Sequence, residues 1–446
     1  MMYFEGKKYN VVTYGCQMNV HESEKISGIL QDLGMTLVNE PELADVVVFN
    51  TCCIREGAED RAFSNIAALK KCKAKNPDMI IAVCGCMPQQ KQGKYDLKKK
   101  LPFVDIVIGT HNVNMLGAYL TRVVDTKKRV YEVVDTPIDL SENKTTIRDD
   151  KINAYVNIIY GCNKFCTYCI VPHVRGRERS RPYEDIKAEV KDLVSKGYRY
   201  ITLLGQNVNS YGKDLNNGMT FASLLTKLCQ IEGEFKLKFM TSHPIDFNKD
   251  IIKVMKREPK VAKCLHLPVQ SGNSDVLFRM NRHYNIRHYN KLIKATKRGV
   301  KNVSLSTDII VGFPGESEKA FEDTVKLLKK VKYDQVFAFM YSKRTGTPAS
   351  ILPNQIDESV KNKRLNKLLR EQKFISKQML NDCVGKTYNC LVVVHNGVTM
   401  GLTDGGREIY LPNDSNALEN HFVDIKVEGI RNHKLSGVIK CQKSHQ

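Results

Sequence analysis

Apolar runs alternate with amphipathic stretches along the first 135 residues. Four runs are apolar at almost every position and short enough for strands: KYNVVTYG, ADVVVFNTC, MIIAVCGC and VDIVIGT. Runs of this kind are typical of parallel strands that are covered on both faces. The stretches between them, such as HESEKISGILQDLG and EDRAFSNIAALKKCKAKN, have the spacing of helices. Residues 1–135 are therefore predicted to form a doubly wound α/β domain, whose ligands bind beyond the carboxyl ends of its strands.

A second alternation of strands and helices covers residues 151–380. Six strands are predicted there: NAYVNIIYG, YITLLGQNV, KLKFMTSHP, KCLHLPVQSG, NVSLSTDIIVGFPGE and QVFAFMYS. Six strand–helix units in about 200 residues indicate an open or partial, TIM-like β/α barrel, with its chemistry at the carboxyl ends of the strands. A long basic helix at about 357–381 leads out of this domain.

The remaining segments differ from these two domains. The polar stretch TPIDLSENKTTIRDDK predicts a linker at 136–150. From 381 to 446, short β-branched strands are separated by Gly, Asn and Asp turns, which predicts a small all-β barrel of the kind that binds oligonucleotides. The predicted fold class is therefore α/β and multidomain, with an all-β domain at the C-terminal end.

The charge is unevenly distributed along the chain. The net charge is +21, yet residues 1–150 carry 20 basic and 20 acidic side chains and residues 381–446 carry 7 and 7, whereas residues 151–380 carry 42 and 21. This excess favours a polyanionic partner such as nucleic acid, although a lysine-rich, solvated helical surface gives the same count. Because no run of about 18 apolar residues and no signal peptide occur, the chain is predicted to be cytoplasmic and to have no membrane partner.

Three of the 14 cysteines lie close together after the first strand of the predicted barrel. In YGCNKFCTYCI, Cys162, Cys166 and Cys169 follow the spacing Cys-x-x-x-Cys-x-x-Cys. Clustered cysteines in a reducing compartment more often bind metal or do redox chemistry than form disulfides, although a purely structural role is also open. A structural zinc site needs four ligands, and His173 is the only near candidate for the fourth. A four-iron cubane on three thiolates instead leaves one iron open to a substrate or cofactor.

Three more cysteines follow three different strands of the first domain. Cys16 in TYGCQMN, Cys52 in FNTCC and Cys86 in VCGCMP each stand where a predicted strand ends. A single buried cysteine is ordinarily a small apolar side chain, but three at the ligand-binding edge of one sheet predict a second three-thiolate cluster. Cys53 and Cys84 complicate the assignment, and alternation along the strand places Cys84 deeper in the core.

The motifs around these cysteines resemble the methylthiotransferase family of radical S-adenosylmethionine (SAM) enzymes. The resemblance extends over essentially the whole chain and rests on GCQMN, NTC, CGC and GCNKFCTYCIVPHVRGRERSR, with a terminal domain similar to the TRAM module. The motifs LLGQNVNSYG, TSHP, HLPVQSGN, RMNRHY and STDIIVGFPGE are most similar to the MiaB-type branch. This likeness implies insertion of sulfur and a methyl group into isopentenyl-adenosine at position 37 of tRNA, next to the anticodon.

The same resemblance implies the cofactors and partners. Two 4Fe-4S clusters are expected: the one on the first-domain cysteines carries the sulfur to be methylated, and the one on the barrel cysteines cleaves SAM to a radical. Two SAM molecules are then used per turnover. The implied partners are a tRNA anticodon stem-loop, an electron donor protein and a sulfur source. No catalytic residue beyond the cluster ligands is expected.

The resemblance also implies which side chains contact SAM. These contacts are expected at the strand ends of the barrel, from Gly205, Gln206, Asn207, Gln270 and Asp308. A structural acceptor at a strand–loop junction is the other interpretation of the aspartate. The residues of two further motifs are expected to line the site or to have packing roles: Ser242, His243, Phe165 and Tyr168.

Contacts to RNA are expected from basic side chains in two places. One is the RGRERSR segment directly after the cluster loop, and the other is one face of the terminal domain. The side chains are Arg175, Arg177, Arg179, Arg181, Arg431 and Lys434, with Lys440 and Lys443 on the same terminal face.

Other functions remain open at this point. Related enzymes carry out the same chemistry on threonylcarbamoyl-adenosine in tRNA or on an aspartate of a ribosomal protein, and the basic excess favours RNA over protein. A zinc-stabilised RNA-binding protein without catalytic activity would also have clustered cysteines and a basic middle segment. The iron and zinc contents of the purified protein distinguish this last class from an enzyme.

Overall fold

The computed structural model describes residues 3–53, 56–136, 145–148, 150–395, 397–412, 415, 418–432 and 434–440. Most of the predicted linker at 136–150, and Lys443, lie outside these ranges. In chain order, the described residues form an α/β domain with a parallel sheet, a partial β/α barrel and a small closed β-barrel. The predicted α/β multidomain fold class is confirmed.

The first domain is a six-stranded parallel sheet in the order β2-β1-β3-β4-β5-β6. Its strands are β1 (Lys8–Thr13), β2 (Thr36–Leu37), β3 (Val46–Thr51), β4 (Ile80–Gly85), β5 (Ile106–Ile108) and β6 (Val130–Glu132). Its helices are α1 (Gln17–Asp32), α2 (Glu56–Ala68), α3 (Lys70–Lys75), α4 (Cys86–Gln89), α5 (Gly93–Lys100) and α6 (Leu116–Thr126). The central strands β3 and β4 are buried at every position, as expected for parallel strands covered on both faces.

Two apolar cores hold the helices against the two faces of this sheet. Ile26 of α1 and Leu120 of α6 pack in one core, whereas Ile66 of α2 and Leu97 of α5 pack in the other. The sheet is therefore doubly wound, as predicted. Because β1, β3 and β4 are neighbours and parallel, the residues that follow them meet at one edge.

The second domain contains six parallel strands in one continuous row. They are β7 (Asn153–Asn157), β10 (Tyr200–Leu204), β11 (Lys236–Phe239), β12 (Cys264–His266), β13 (Ser304–Val311) and β14 (Gln335–Met340). They pair in two groups of three, and hydrogen bonds of Leu237 with Lys260 (2.7 Å) and Ala262 (2.9 Å) join β11 to the segment that leads into β12. No pairing of β7 with β14 is found in the described ranges, so the barrel is partial.

Helices cover the outside of this row of strands. They are α8 (Tyr183–Ser195), α9 (Phe221–Cys229), α10 (Lys249–Arg257), α11 (Ser274–Arg279), α12 (Ile286–Gly299) and α13 (Glu318–Val331). Asn248, Asn285 and Ser317 start α10, α12 and α13 by accepting hydrogen bonds from the first turn. A short excursion after β7 contains β8 (Ile159–Tyr160), α7 (Val171–Arg175) and β9 (Arg179–Ser180).

The long helix α14 (Glu358–Asn381) leads from the partial barrel to a closed five-stranded barrel. The strands are β15 (Thr387–His395), β16 (Val398–Thr403), β17 (Glu408–Tyr410), β18 (Phe422–Arg431) and β19 (Lys434–Ile439). Asp404 fastens this barrel to the second domain, because its carboxylate accepts hydrogen bonds from Lys236 Nζ and Lys263 N–H, both at 2.8 Å. Among the described helices, α14 included, none is long and apolar enough to cross a membrane.

Candidate active site

The first cysteine triad, defined as Cys16, Cys52 and Cys86, lies where three neighbouring strands end. Cys16 comes shortly after β1, Cys52 follows β3 and Cys86 follows β4. Gly15 permits a close approach between the first two, because its φ is +124° and a Cβ at this position would lie 2.6 Å from the Cβ of Cys52. The fold therefore brings three thiols from distant parts of the sequence to one edge of the sheet.

Two further cysteines near this triad have different surroundings. Cys84 is fully buried in the apolar core, as alternation along β4 predicts. Cys53 instead hydrogen-bonds to Cys86 and belongs with it to a small apolar cluster. The hydrogen bond from Cys53 and the charge of Arg175 outweigh burial and lower the pKa of Cys86 to about 6. The lowered pKa favours the thiolate form of Cys86, which is the form that binds metals.

Arg175 connects the first triad to the second domain. It is the last residue of α7 and is buried, and its Nη1 lies 3.3 Å from Oε2 of Glu22 in α1. The same guanidinium hydrogen-bonds to Cys86. Ile170 and Val174 pack in one apolar cluster with that cysteine. Helix α7 therefore places a cation of the second domain beside the thiols of the first.

The second triad, defined as Cys162, Cys166 and Cys169, lies in the loop between β8 and α7. Gly161 at its start has a φ of +73°, and a Cβ there would lie 2.0 Å from the carbonyl oxygen of Arg177. Cys169 N–H donates a hydrogen bond to Cys166 O (2.9 Å). Burial raises the pKa of both Cys162 and Cys169 to about 12. A nearby positive charge, such as that of a metal centre, would stabilise thiolates at these positions.

The donor sets of both triads suit iron–sulfur clusters. Within the described parts of the chain, no three His, Cys, Asp or Glu side chains are grouped closely enough to share one metal ion. A four-iron cubane does not need this, because each thiolate binds a different iron. His173, the predicted alternative ligand for zinc, is exposed, and its ring packs edge-on against Phe165 with 6.2 Å between centroids. The second triad has three sulfur donors and no nearby fourth cysteine among the described residues, which fits a cluster with one open iron. Beside the first triad, Cys53 is a fourth sulfur, and it hydrogen-bonds to Cys86.

Buried polar atoms without partners line the strand ends of the partial barrel. Within the described residues, no hydrogen-bond partner is found for the side-chain atoms Asn157 Oδ1, Gln206 Oε1, Ser242 Oγ, His243 Nε2, Gln270 Oε1 and the Tyr341 hydroxyl. Buried polar groups are ordinarily paired, so their concentration at one end of the barrel indicates a polar ligand. Gln270 also has a φ of +68°, a strained conformation of the kind that concentrates at functional sites.

Comparisons with known proteins identify the family. Residues 8–109 match the Uncharacterized protein family UPF0004, and residues 156–328 match the Radical SAM superfamily. The tRNA-2-methylthio-N(6)-dimethylallyladenosine synthase of Clostridium botulinum (strain Langeland / NCTC 10281 / Type F) is 46% identical over 434 residues, which cover 96% of each chain. The chain belongs to the tRNA-2-methylthio-N(6)-dimethylallyladenosine synthase family.

Further relatives agree with this membership. The synthase of Caldicellulosiruptor saccharolyticus is 43% identical over 438 residues, 98% of this chain and 93% of its own. The radical SAM methyltransferase TsrM of Kitasatospora setae shares the fold with a TM-score of 0.55 and 11% identity, over 90% of this chain and 82% of its own. The predicted family resemblance is confirmed, and the chain is a radical SAM enzyme, a class that uses a 4Fe-4S cluster and SAM.

In this member of the synthase family, three predicted SAM contacts follow β10. Gly205, Gln206 and Asn207 form the start of the loop at that strand end. The amide of Gln206 donates to the sulfur of Met18 in α1, so this side chain also contacts the first domain. Asn207 Nδ2 donates to Asp246 (2.6 Å), which leaves its buried oxygen without a partner among the described residues. Their contact with SAM stays a prediction.

The other two predicted SAM contacts lie side by side, Gln270 after the end of β12 and Asp308 within β13, three residues before that strand ends. Gln270 N–H donates to the backbone oxygen of Asp308 (2.9 Å). The Asp308 carboxylate is 28% exposed and lies 3.4 Å from Nε2 of His266. Because Asp308 lies inside β13, the predicted strand–loop junction is wrong for this residue, and its contact with SAM stays a prediction.

Burial separates the four arginines that were predicted to contact RNA after the cluster loop. Arg175 and Arg181 are both buried, and their carboxylate partners are Glu22 at 3.3 Å and Glu189 at 2.8 Å. Because a phosphate does not reach a buried guanidinium that is already paired, the predicted RNA contact is corrected for these two. Both arginines instead tie their segment to neighbouring helices.

The remaining predicted RNA contacts keep access to solvent. Arg177 is exposed, and its guanidinium lies 4.5 Å from the ring centroid of Phe165. Arg179 is half-buried. Arg431 and Lys434 are exposed and pair across β18 and β19. RNA contact by these four side chains stays a prediction.

Sequence reasoning missed Arg282 as a neighbour of the second triad. This buried side chain lies in the loop between α11 and α12, and its Nη1 donates a hydrogen bond to Cys166 Sγ (3.3 Å). The motif RMNRHY contains Arg282, but by itself this motif indicates only membership of the family. No local pattern links two positions so far apart in the sequence.

Proposed function

We propose that this chain methylthiolates isopentenyl-adenosine, also called N(6)-dimethylallyladenosine, at position 37 of tRNA. The observation that carries this proposal is the position of α7, which leads from the second triad to Arg175 beside Cys86. Two sets of three thiols thus belong to one site, although they come from different domains. The names of the similar synthases support the choice of substrate.

Each triad would hold one 4Fe-4S cluster in this proposal. When bound, the two clusters and two SAM molecules per turnover supply a 5′-deoxyadenosyl radical and a methylated sulfur, which an inert aromatic C–H bond requires. Gly205, Gln206, Asn207 and Gln270 orient SAM through polar groups that follow the strands, and Asp308 does so from within β13. Tyr168 of the cluster loop packs with Phe313 and Tyr341, and this apolar contact keeps water from the cluster.

The tRNA and two further partners complete the proposal. The basic excess of the second domain favours an anticodon stem-loop, whose target base must be splayed out to be reached. Arg177, Arg179, Arg431 and Lys434 contact its phosphates. The reaction also needs an electron donor protein and a sulfur source, and we place it in the cytoplasm.

The nucleosides of cellular tRNA test the substrate directly. We expect deletion of the gene to remove methylthio-isopentenyl-adenosine and to let isopentenyl-adenosine accumulate, because sulfur insertion is the missing step. Mass spectrometry of hydrolysed tRNA measures both forms. A plasmid copy restores the methylthio form, and the same plasmid with Cys162→Ala is the matched control that does not.

Two outcomes decide against this substrate. Methylthio-isopentenyl-adenosine that persists in the deletion strain removes the assignment altogether. Loss of the methylthio form of threonylcarbamoyl-adenosine, or of a modified ribosomal aspartate, with isopentenyl-adenosine unaffected, assigns the chain to the related chemistry on another substrate.

Metal analysis of the anaerobically purified protein tests the cofactors. We expect about eight irons and about eight sulfides per chain, the total of two cubane clusters. Replacing the second triad with alanines lowers both numbers to about four, since the first triad keeps its own cluster. A colourless protein with zinc and without iron would instead indicate the non-catalytic RNA-binding class.

A further inference from the structure

Four arginines are buried in the described part of the chain, and one of them differs from the other three. Arg175, Arg181 and Arg364 each pair with a carboxylate, at distances of 3.3, 2.8 and 2.9 Å. Arg282 is only 4% exposed, yet no carboxylate of a described residue lies within ion-pair distance of it. Burying a charge without a partner is costly. The surroundings of Arg282 should therefore contain an anion when the protein is complete.

The hydrogen-bond partners of Arg282 indicate where that anion lies. Its Nη2 donates to Pro268 O (3.1 Å) and its Nε to the Tyr284 hydroxyl (3.3 Å), and both partners are neutral. Its Nη1 lies 3.4 Å from the Tyr168 hydroxyl and donates to Cys166 Sγ at 3.3 Å. Cys166 is the only one of these partners that carries negative charge as a cluster ligand. The charge of Arg282 thus faces the second triad.

We propose that Arg282 is a positioning residue of the cluster on the second triad, and that its hydrogen bond to the Cys166 sulfur raises the reduction potential of that cluster. The inference rests on the proposed function, from which it takes the ligand set. Reduction adds one electron and so adds negative charge to the cluster. A fixed cation and a hydrogen bond to a ligand sulfur stabilise the reduced form more than the oxidised form. Burial keeps water from screening this effect.

The position of Arg282 is fixed independently of the cluster. The Tyr284 hydroxyl donates in turn to Val269 O (2.9 Å), and the backbone N–H of Arg282 donates to Leu277 O (3.0 Å). The guanidinium is therefore held against Cys166 by the barrel itself. Arg175 beside the first triad differs, because Glu22 offsets its charge.

A potential measured on a single cluster tests this role. The starting protein is the full-length chain with Cys16→Ala, Cys52→Ala and Cys86→Ala, which leaves only the cluster of the second triad. It is titrated anaerobically with dithionite as the one-electron reductant, and electron paramagnetic resonance measures the reduced cluster. Arg282→Gln removes the charge, Arg282→Lys keeps the charge but loses the planar fork, and Arg364→Gln controls for loss of a buried arginine elsewhere.

We expect Arg282→Gln to lower the equilibrium constant for reduction at least tenfold, which is about 59 mV for one electron. Arg282→Lys should lower it less than tenfold, and Arg364→Gln should leave it unchanged. An unchanged potential in Arg282→Gln with full iron content overturns the proposal. If that variant loses its cluster, Arg282→Lys decides: a retained cluster with a measurably lower potential supports the proposal, and a lost cluster or an unchanged potential overturns it.

The iron content of the starting protein shows whether the second triad is the ligand set of a cluster. If the starting protein lacks about four irons, the second triad does not bind a cubane and this inference falls with it. The measurement uses neither tRNA nor methylthiolated product. A shift in potential therefore supports the role of Arg282 whichever nucleoside the enzyme modifies.

Discussion

Replacing Cys16 with alanine is expected to abolish methylthiolation and to leave SAM cleavage intact. Cys16 belongs to the first triad, at the edge of a separate sheet, whereas SAM cleavage in the proposed function needs only the second triad and the strand ends of the barrel. Cys162→Ala is expected to abolish both reactions, because two thiolates do not hold a four-iron cluster. Formation of 5′-deoxyadenosine measures SAM cleavage, and mass spectrometry of tRNA nucleosides measures the product.

Cys84→Ala is the matched control for the Cys16→Ala and Cys162→Ala variants. Cys84 lies two residues before Cys86 but points into the apolar core, so its thiol is not available to a cluster. Its loss should lower stability by about 1 kcal/mol, as for other small core truncations, and leave both activities in place. Product formation by Cys16→Ala would show that the first triad does not carry the transferred sulfur. Loss of SAM cleavage in the same variant would show that the two triads do not act separately.

The strand ends were predictable because the relevant signal is local. A buried parallel strand is a continuous apolar run, and the residue that follows it can be read from the sequence. Cys16, Cys52 and Cys86 therefore pointed to one edge of the sheet before its geometry was known. The same holds for Gln206 and Gln270 at the strand ends of the barrel.

The roles of the buried arginines could not be predicted in this way. RGRERSR has the composition of a solvated or phosphate-binding segment, and nothing local distinguishes Arg175 from Arg177. Their difference arises from tertiary packing, which brings Glu22 of α1 against one of them and leaves the other exposed. Arg282 was missed for the same reason, since its partner Cys166 comes from a distant loop.

Removing Arg175 is expected to destabilise the junction between the first two domains and to empty the first triad. Arg175→Met leaves the carboxylate of Glu22 without its cation, and breaking a buried pair from one side typically costs about 3–5 kcal/mol. The variant also loses the hydrogen bond to Cys86 that favours its thiolate. Chemical denaturation measures the change in unfolding free energy. Iron content, in a background with the second triad replaced by alanines, measures cluster occupancy.

A second substitution separates the cost of the unpaired Glu22 charge from the loss of the hydrogen bond to Cys86. Glu22→Gln removes the unpaired charge, so the double variant Arg175→Met/Glu22→Gln should recover much of the lost stability. Its first triad should stay poorly loaded, because the hydrogen bond to Cys86 is still missing. Arg177→Met, on the exposed side of the same segment, is the control and should change stability by less than about 0.5 kcal/mol. If Arg175→Met is as stable and as rich in iron as this control, the buried pair does not join the domains, and α7 must position the first triad through its apolar contacts alone.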